Sequence, residues 1–206
     1  MVEQTVFLVD DDDGVRKALT FALRLEGFSV RSFRSARAFL ENDQDKCGCL
    51  ITDVRMPDID GMQLQRIVAQ QKLPLSVFIM TGHGDVPMAV ETMLAGAVDF
   101  LEKPFDDEKM LASVRRALDI GSKARSRNAE AKAAKTLLES LTPRERGVLD
   151  KLVQGRSNKV VAYELGISPR TVEIHRAHIM GKMDATSLSD LVRVVLAAEQ
   201  GSNGHA

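Results

Sequence analysis

The chain's pattern predicts an α/β fold with a five-stranded parallel sheet, followed by a small all-α domain. Three observations carry this prediction. Short apolar runs alternate with amphipathic stretches through residues 1–120, the signature of repeated βαβ units. Residues beyond about 138 show helical spacing and helix caps only. The two halves also carry opposite charge. Residues 1–120 hold 14 basic against 20 acidic residues, a net −6, and residues 121–206 hold 14 against 9, a net +5. Opposite signs predict two domains with different partners.

The elements follow in order. Strands are expected at 5–9, 28–33, 48–53, 75–80 and 98–102, and helices at 14–26, 35–42, 61–71, 86–95 and 106–119. Runs 5–9 and 75–80 are almost wholly apolar, so they belong in the sheet interior. Run 28–33 alternates and suits an edge. Residues 121–138 are rich in Ala, Lys, Arg and Glu and contain no Pro. They predict a helical linker that continues helix 106–119, with Gly121 as its weak point. Thr142-Pro143-Arg144-Glu145 reads as a capping box. Ser157 is placed to cap a second helix ending at Leu165 and Gly166. Ser168-Pro169 starts a third helix running to about Met183. Ser187 with Asp190 starts a fourth, with Leu188, Leu191, Val192, Val195 and Leu196 in one apolar stripe. Residues 201–206 have nothing to bury and are expected to be disordered.

The 206 residues, 44% of them apolar, suit two small domains with a core each. No apolar run reaches the length of a membrane span, and no signal segment opens the chain. A cytoplasmic protein is therefore expected. Cys47 and Cys49 are too close to staple a fold and are read as free thiols.

Chemistry gathers at the carboxyl ends of the expected strands. Asp10 and Asp11 end Val6-Phe7-Leu8-Val9, and Asp53 ends Cys49-Leu50-Ile51-Thr52. Thr81 ends Val77-Phe78-Ile79-Met80, and Lys103 follows Phe100-Leu101-Glu102. Open α/β sheets bind ligands at that edge. Three close carboxylates repel one another unless a cation neutralises them, and hard oxygen ligands suit Mg²⁺ or another divalent cation. A carboxylate can also accept a phosphoryl group. An ammonium and a hydroxyl would balance and hold its oxygens. The plain alternative is that each acid is a turn or cap residue, with Asp10 to Asp13 capping the helix at 14. A phosphatase of the haloacid-dehalogenase type places a second acid two residues after its nucleophile, where this chain has Arg55. No Gly-x-x-x-x-Gly-Lys loop is present, and Gly82-His83-Gly84 is too short to serve as one, with His83 read as a loop residue.

The stretches VDDDDGVR, CLITDVRMPDIDG, TGHGDVPMAV and AGAVDFLEKPF resemble the receiver domain of two-component response regulators over residues 3–120. The resemblance implies a flavodoxin-like fold with Asp53 as phosphoacceptor. It implies Mg²⁺ held by Asp10, Asp11, Asp53 and the backbone carbonyl of Arg55. Thr81 and Lys103 would contact the phosphoryl group, and Thr81 and Phe100 would form the switch. Phe100 stands where tyrosine is more familiar, so a hydroxyl-based switch is not possible here, and a plain core role for Phe100 is the competing reading.

In the second half, 157–165 and 169–183 joined by Gly166-Ile167-Ser168 have helix-turn-helix spacing. Val172, Ile179 and Met183 should face the core, with His175 at the margin. Arg170, Glu173, Ile174, Ala177 and Gly181 face away. Arg170 and Thr171 suit phosphate, and Lys159, Arg176 and Lys182 are placed to flank a groove. A solvated charged face is the competing reading. His175 and His178 lack a third ligand for a metal. LTPRERGVLDKLVQG and SNKVVAYELGISPRTVEIHRAHIMGKM are similar to the LuxR-type four-helix DNA-binding domain, placed at 139–200. Glu173 occupies a position often basic in that family, so it is expected to read a base.

Together the halves resemble FixJ-type regulators. That implies a transcription activator that dimerises through the receiver face at residues 86–105 when phosphorylated by a FixL-like sensor histidine kinase. Promoter DNA, RNA polymerase and nitrogen-fixation genes are the implied partners and targets, and no membrane is expected. A phosphotransfer enzyme and a protein-interaction adaptor are the competing classes.

Overall fold

The computed structural model describes residues 5–42, 45–82, 84 and 86–203, with side chains described through residue 199. His83 lies outside the described residues. The chain divides into two compact units, Met1–Ala124 and Arg125–Ala206.

In the first unit, five strands form one parallel sheet: β1 (Thr5–Val9), β2 (Ser29–Phe33), β3 (Gly48–Asp53), β4 (Leu75–Thr81) and β5 (Asp99–Glu102). Their order is β2-β1-β3-β4-β5. The expected edge strand is at an edge, and the two most apolar runs are interior. The helices are α1 (Asp13–Leu25), α2 (Ala36–Leu40), α3 (Gly61–Gln70), α4 (Val86–Leu94) and the start of α5 (Asp107–Glu139). Alternation along each strand sends side chains to two cores. Val6, Leu8, Cys49, Ile51, Phe78 and Met80 pack with Leu19 and Leu23 of α1 and with Met110, Val114 and Leu118 of α5. Phe7, Val9, Leu50, Val77 and Ile79 pack with Phe39 of α2 and with Leu64 and Val68 of α3. Each such fully buried side chain contributes about 1.5–3 kcal/mol of transfer free energy. Helices therefore cover both faces and leave the strand ends as the accessible edge. Cys47 and Cys49 are free thiols, and burial pushes the Cys49 thiol up to about 12.

The pairing of β3 beside β1 needs a glycine at the start of β3. Gly48 has φ 140°, and a Cβ there would stand 2.0 Å from the Thr5 carbonyl oxygen. α5 runs unbroken through residues 121–138, and Gly121 does not interrupt it.

The second unit adds α6 (Pro143–Val153), α7 (Asn158–Leu165), α8 (Pro169–Lys182) and α9 (Leu188–Asn203). Thr142 and Glu145 form the predicted capping box at α6. Ser168 caps α8 by accepting from the Thr171 N–H. Asp190 accepts from the N–H groups of Thr186 and Ser187, at 3.0 and 2.8 Å, at the start of α9. Two expectations are corrected. Ser157 occupies the N-cap position of α7, but its side chain makes no capping bond. The helix at the C-terminus continues to Asn203, so residues 201–203 are helical rather than disordered, and residues 204–206 lie outside the described residues. The core joins Val148, Leu149 and Leu152 of α6 to Val161, Val172, Ile179, Met183 and Leu191. Gly166 ends α7 with φ 63°, the left-handed turn that lets α8 depart at an angle.

Glu145 is buried in this unit. The Lys182 ammonium and the Thr142 N–H hold its carboxyl down to about 2 despite desolvation. A depressed carboxylate contributes stability above its unfolded value of about 4.3, and that stability is lost as pH falls toward the folded value. Between about pH 4.5 and pH 2, amide exchange at the start of α6 should therefore quicken in the parent. In Glu145→Gln this acid-dependent component should be missing, with a lower baseline protection. An unchanged acid profile in the variant would contradict the assignment.

Candidate functional site

The sheet order places the β1/β3 junction at a topological switch point, where the flanking connections leave in opposite directions and open a crevice. Asp10 follows β1 and Asp53 ends β3. Both are nearly inaccessible, at 1% and 7% exposure. Lys103, just beyond β5, joins them. Its Nζ donates to Asp10 Oδ2 at 2.8 Å and to Asp53 Oδ1 at 2.6 Å. Partial burial pulls the Lys103 ammonium down, but its hydrogen bonds to Asp10 and Asp53 and their charges outweigh that and raise it above the ordinary lysine value. Lys103 is thus a fixed cation at neutral pH.

Backbone donors complete the carboxylates. The Asp12 N–H donates to Asp10 Oδ1 at 2.9 Å, and the Arg55 N–H donates to Asp53 Oδ2 at 2.8 Å. The Arg16 guanidinium donates to the Asp10 carbonyl at 2.7 Å. Thr81 is buried at the end of β4, and its carbonyl accepts the Lys103 N–H at 2.7 Å. Five sequence-predicted residues, Asp10, Asp53, Arg55, Thr81 and Lys103, therefore meet at one edge. Asp11 is exposed and is not part of this bonded network. Among the described residues, no three acidic, histidine or cysteine side chains form a ready metal cluster. The donor chemistry nevertheless fits a divalent cation. Two buried carboxylates against one ammonium leave an excess of negative charge on hard oxygens.

Asp12, in the acidic run, is the N-cap of α1, accepting from Gly14 and Val15 N–H groups. These bonds hold its carboxyl below the usual range. The capping alternative thus describes Asp12, and the chemistry falls to its neighbours.

Three contributors had little sequence signal. A Cβ on Gly61 would stand 2.1 Å from the Asp53 carbonyl oxygen, so only glycine lets α3 begin against the Asp53 turn. A Cβ on Gly84 would lie 3.0 Å from Phe100 Cε1 and 3.1 Å from Thr81 Cγ2. Gly84 therefore rests on both residues assigned to the switch. Phe100 itself is half-buried against the α3-side core. Asp99 links β5 to α5 through the Ser113 hydroxyl and the Arg116 guanidinium. Beside this edge, α4 exposes Val86, Val90, Met93 and Leu94. Their spacing puts them along one side of the helix.

In the second unit, α7 and α8 form the helix-turn-helix. Val172, Ile179 and Met183 are buried, whereas Arg170, Glu173, Ile174, Ala177 and Gly181 are exposed, and Arg176 is half-buried. Arg170 Nη1 lies 3.2 Å from Glu173 Oε2, so the two charged groups on this face begin as a pair. Thr171 is half-buried, with its hydroxyl 2.8 Å from Ser168 Oγ. Lys159 is exposed at the start of α7. Lys182 is different: its ammonium donates to Glu145 Oε2 at 2.7 Å.

Comparison with known proteins agrees with both units. Residues 6–115 match the response regulator receiver domain, and residues 139–195 match the bacterial regulatory proteins of the luxR family. The chain is 48% identical over 202 residues to the transcriptional regulatory protein FixJ of Rhizobium meliloti (strain 1021), covering 98% of this chain and 99% of that protein. It is 43% identical over 190 residues to the response regulator protein TodT of Pseudomonas putida (strain F1), covering 92% and 84%. The solved structure of the response regulator StyR superposes with a TM-score of 0.84 at 39% identity, covering 94% of this chain and 98% of that one. Full-length FixJ from B. japonicum gives 0.60 at 44% identity, covering 97% and 99%.

The bridging role of Lys103 has a direct consequence. Lys103→Met removes a cation that competes for the oxygens of Asp10 and Asp53. Mg²⁺ affinity, followed by calorimetric titration, should rise about tenfold. Unchanged or weaker Mg²⁺ binding would show that Lys103 does not hold those oxygens.

Proposed function

The chain belongs to the two-component response regulators with a LuxR-type DNA-binding domain, and from that premise we propose that phosphorylation of Asp53 switches its DNA binding. A receiver domain implies a sensor kinase as partner, and the luxR-family domain implies DNA. The family is one of regulators, not enzymes. The observation that carries the proposal is the Lys103 bridge. It holds the Asp53 carboxylate at the carboxyl edge of the sheet with a cation already beside it. Phosphoryl transfer puts more negative charge at this point, and in this reading Lys103 balances it while the Thr81 hydroxyl donates to one of the new oxygens.

In this reading Asp10, Asp11, Asp53 and the Arg55 carbonyl would hold Mg²⁺ or another divalent cation. When bound it neutralises charge on the incoming phosphoryl oxygens. The kinase is FixL-like. Thr81 moves toward the new oxygens, and the loop at Gly84 and the Phe100 ring follow. That rearrangement changes the face made by α4 and β5. The apolar stripe on α4 supports dimerisation there, because an unpaired row of this kind is a natural interface. Functionally the chain is divided into receiver 3–120, linker 121–138 and DNA-binding domain 139–200. Dimerisation raises the effective concentration of the second DNA-binding domain at a paired half-site.

On DNA, Arg170, Thr171, Arg176 and Lys159 form the basic and polar surround. Glu173, Ile174 and Ala177 face the bases. Glu173 accepts from cytosine N4, and its release from Arg170 frees the guanidinium for phosphate. The bound regulator recruits RNA polymerase as an activator in the cytoplasm. Nitrogen-fixation genes are the targets implied by the FixJ-type resemblance. TodT and the response regulator protein TmoT are nearly as similar, at 43% and 44% identity, so operator selection decides the target.

With acetyl phosphate and Mg²⁺, the parent chain should double in mass and bind a duplex enriched from a random library more tightly, and Asp53→Asn should do neither. Equal binding by Asp53→Asn and the phosphorylated parent would refute the switch. Glu173→Ala should cost about 1–3 kcal/mol at one base pair and relax preference there. A uniform loss on every duplex would remove Glu173 as a base reader.

A further inference from the structure

Lys182 was placed with the groove-flanking cations by its sequence position, but the structure gives it another partner. It stands in the last turn of α8. Its ammonium reaches Glu145 Oε2 at 2.7 Å and the Ser140 carbonyl at 3.4 Å. The Glu145 side chain is only 5% exposed. The same carboxylate oxygen accepts the Thr142 N–H at 2.8 Å and lies 3.0 Å from the Thr142 hydroxyl. His178, one turn earlier on α8, puts Nδ1 3.9 Å from the other oxygen. One buried carboxylate on α6 is therefore approached by two groups from α8.

The signs suit both helix ends. Glu145 lies in the first turn of α6, where negative charge is favoured, and Lys182 lies in the last turn of α8, where positive charge is favoured. The core residues Val172, Ile179 and Met183 fix how deep α8 sits. Apolar packing is non-directional, whereas this charged hydrogen bond is directional and fixes the end of the helix. The bond also competes with phosphate for the same ammonium.

We infer that Lys182 and Glu145 form a clamp that positions α8, so that Lys182 acts on DNA binding through Glu145 and not by contacting phosphate. This rests on the reading of α8 as the recognition helix. Lys182 is then a positioning residue, and Glu145, buried and acidic, contributes to DNA affinity without touching DNA.

Salt dependence distinguishes the two roles. Each phosphate contact adds about 0.9 to the slope of log affinity against log salt. The full chain, with acetyl phosphate and Mg²⁺, is titrated with its library-enriched duplex over a range of KCl. Lys159→Met should lower the slope by about 0.9. Lys182→Met should lower affinity about tenfold at every salt concentration and leave the slope as in the parent. Lys182→Arg should restore affinity, because a guanidinium can make the same pair. Glu145→Gln should match Lys182→Met, and the double variant should be no worse than either single one. Circular dichroism at the assay temperature confirms that each variant is folded, and Glu145→Gln, which removes the pair but keeps the ammonium, carries the comparison if Lys182→Met is not. A slope lowered by about 0.9 in Lys182→Met, or additive losses in the double variant, would overturn the clamp. Salt-independent binding by the parent would instead overturn the DNA reading itself.

Discussion

The first unit depends on one ammonium held between two buried carboxylates. Lys103 follows β5, Asp10 follows β1 and Asp53 ends β3. The contact is long-range in sequence but short in space because the parallel sheet brings every strand's carboxyl end to one edge. Without a cation there, Asp10 and Asp53 would face each other across a low-dielectric crevice, and removing one partner from such a buried ionic group typically costs about 3–5 kcal/mol. The site is therefore balanced around the charge on Asp53. Adding charge at that residue changes what Lys103 and Thr81 must satisfy. Gly84 lies close to both Thr81 and Phe100, the contact through which we propose that a change at Thr81 reaches the aromatic ring of β5.

The second unit shows a related use of charge. Glu145 is a buried carboxylate paired with the more exposed Lys182, and here the pair sets the placement of a helix rather than a reactive centre. The different outcomes follow from location. The Lys103 pair opens at a sheet edge where a ligand can reach it, whereas the Glu145 pair closes the junction between a helix cap and a helix end. The same physics, a carboxylate that must be compensated once desolvated, underlies the proposed switch site in one unit and the proposed helix clamp in the other.

Much of this was legible in the sequence. Apolar runs ending in Asp10, Asp53 and Thr81 marked the strand ends, because a buried parallel strand is apolar on both faces and becomes polar only where it emerges. Thr142-Pro143 with Glu145 marked the start of α6 because that capping geometry is local. What depended on distant neighbours was less legible. Lys182 looked like a groove cation because nothing near it in sequence announces Glu145, 37 positions away. Gly61 and Gly84 carried no signal beyond being glycines, since the atoms that forbid a side chain belong to Asp53, Thr81 and Phe100. Ser157 had the residue type of a cap but not its hydrogen bond. Asp11 matched the motif yet is exposed beside the buried Asp10.

The central claim is that charge at Asp53 is converted into a changed α4–β5 face through Thr81 and Phe100. Backbone amide exchange of the full chain, with Mg²⁺ and with or without acetyl phosphate, tests it most directly. The account predicts changed protection through residues 81–105, including α4 and β5, and no such change in Asp53→Asn. Changes confined to the immediate neighbours of Asp53, with α4 and β5 as in the unphosphorylated chain, would contradict it.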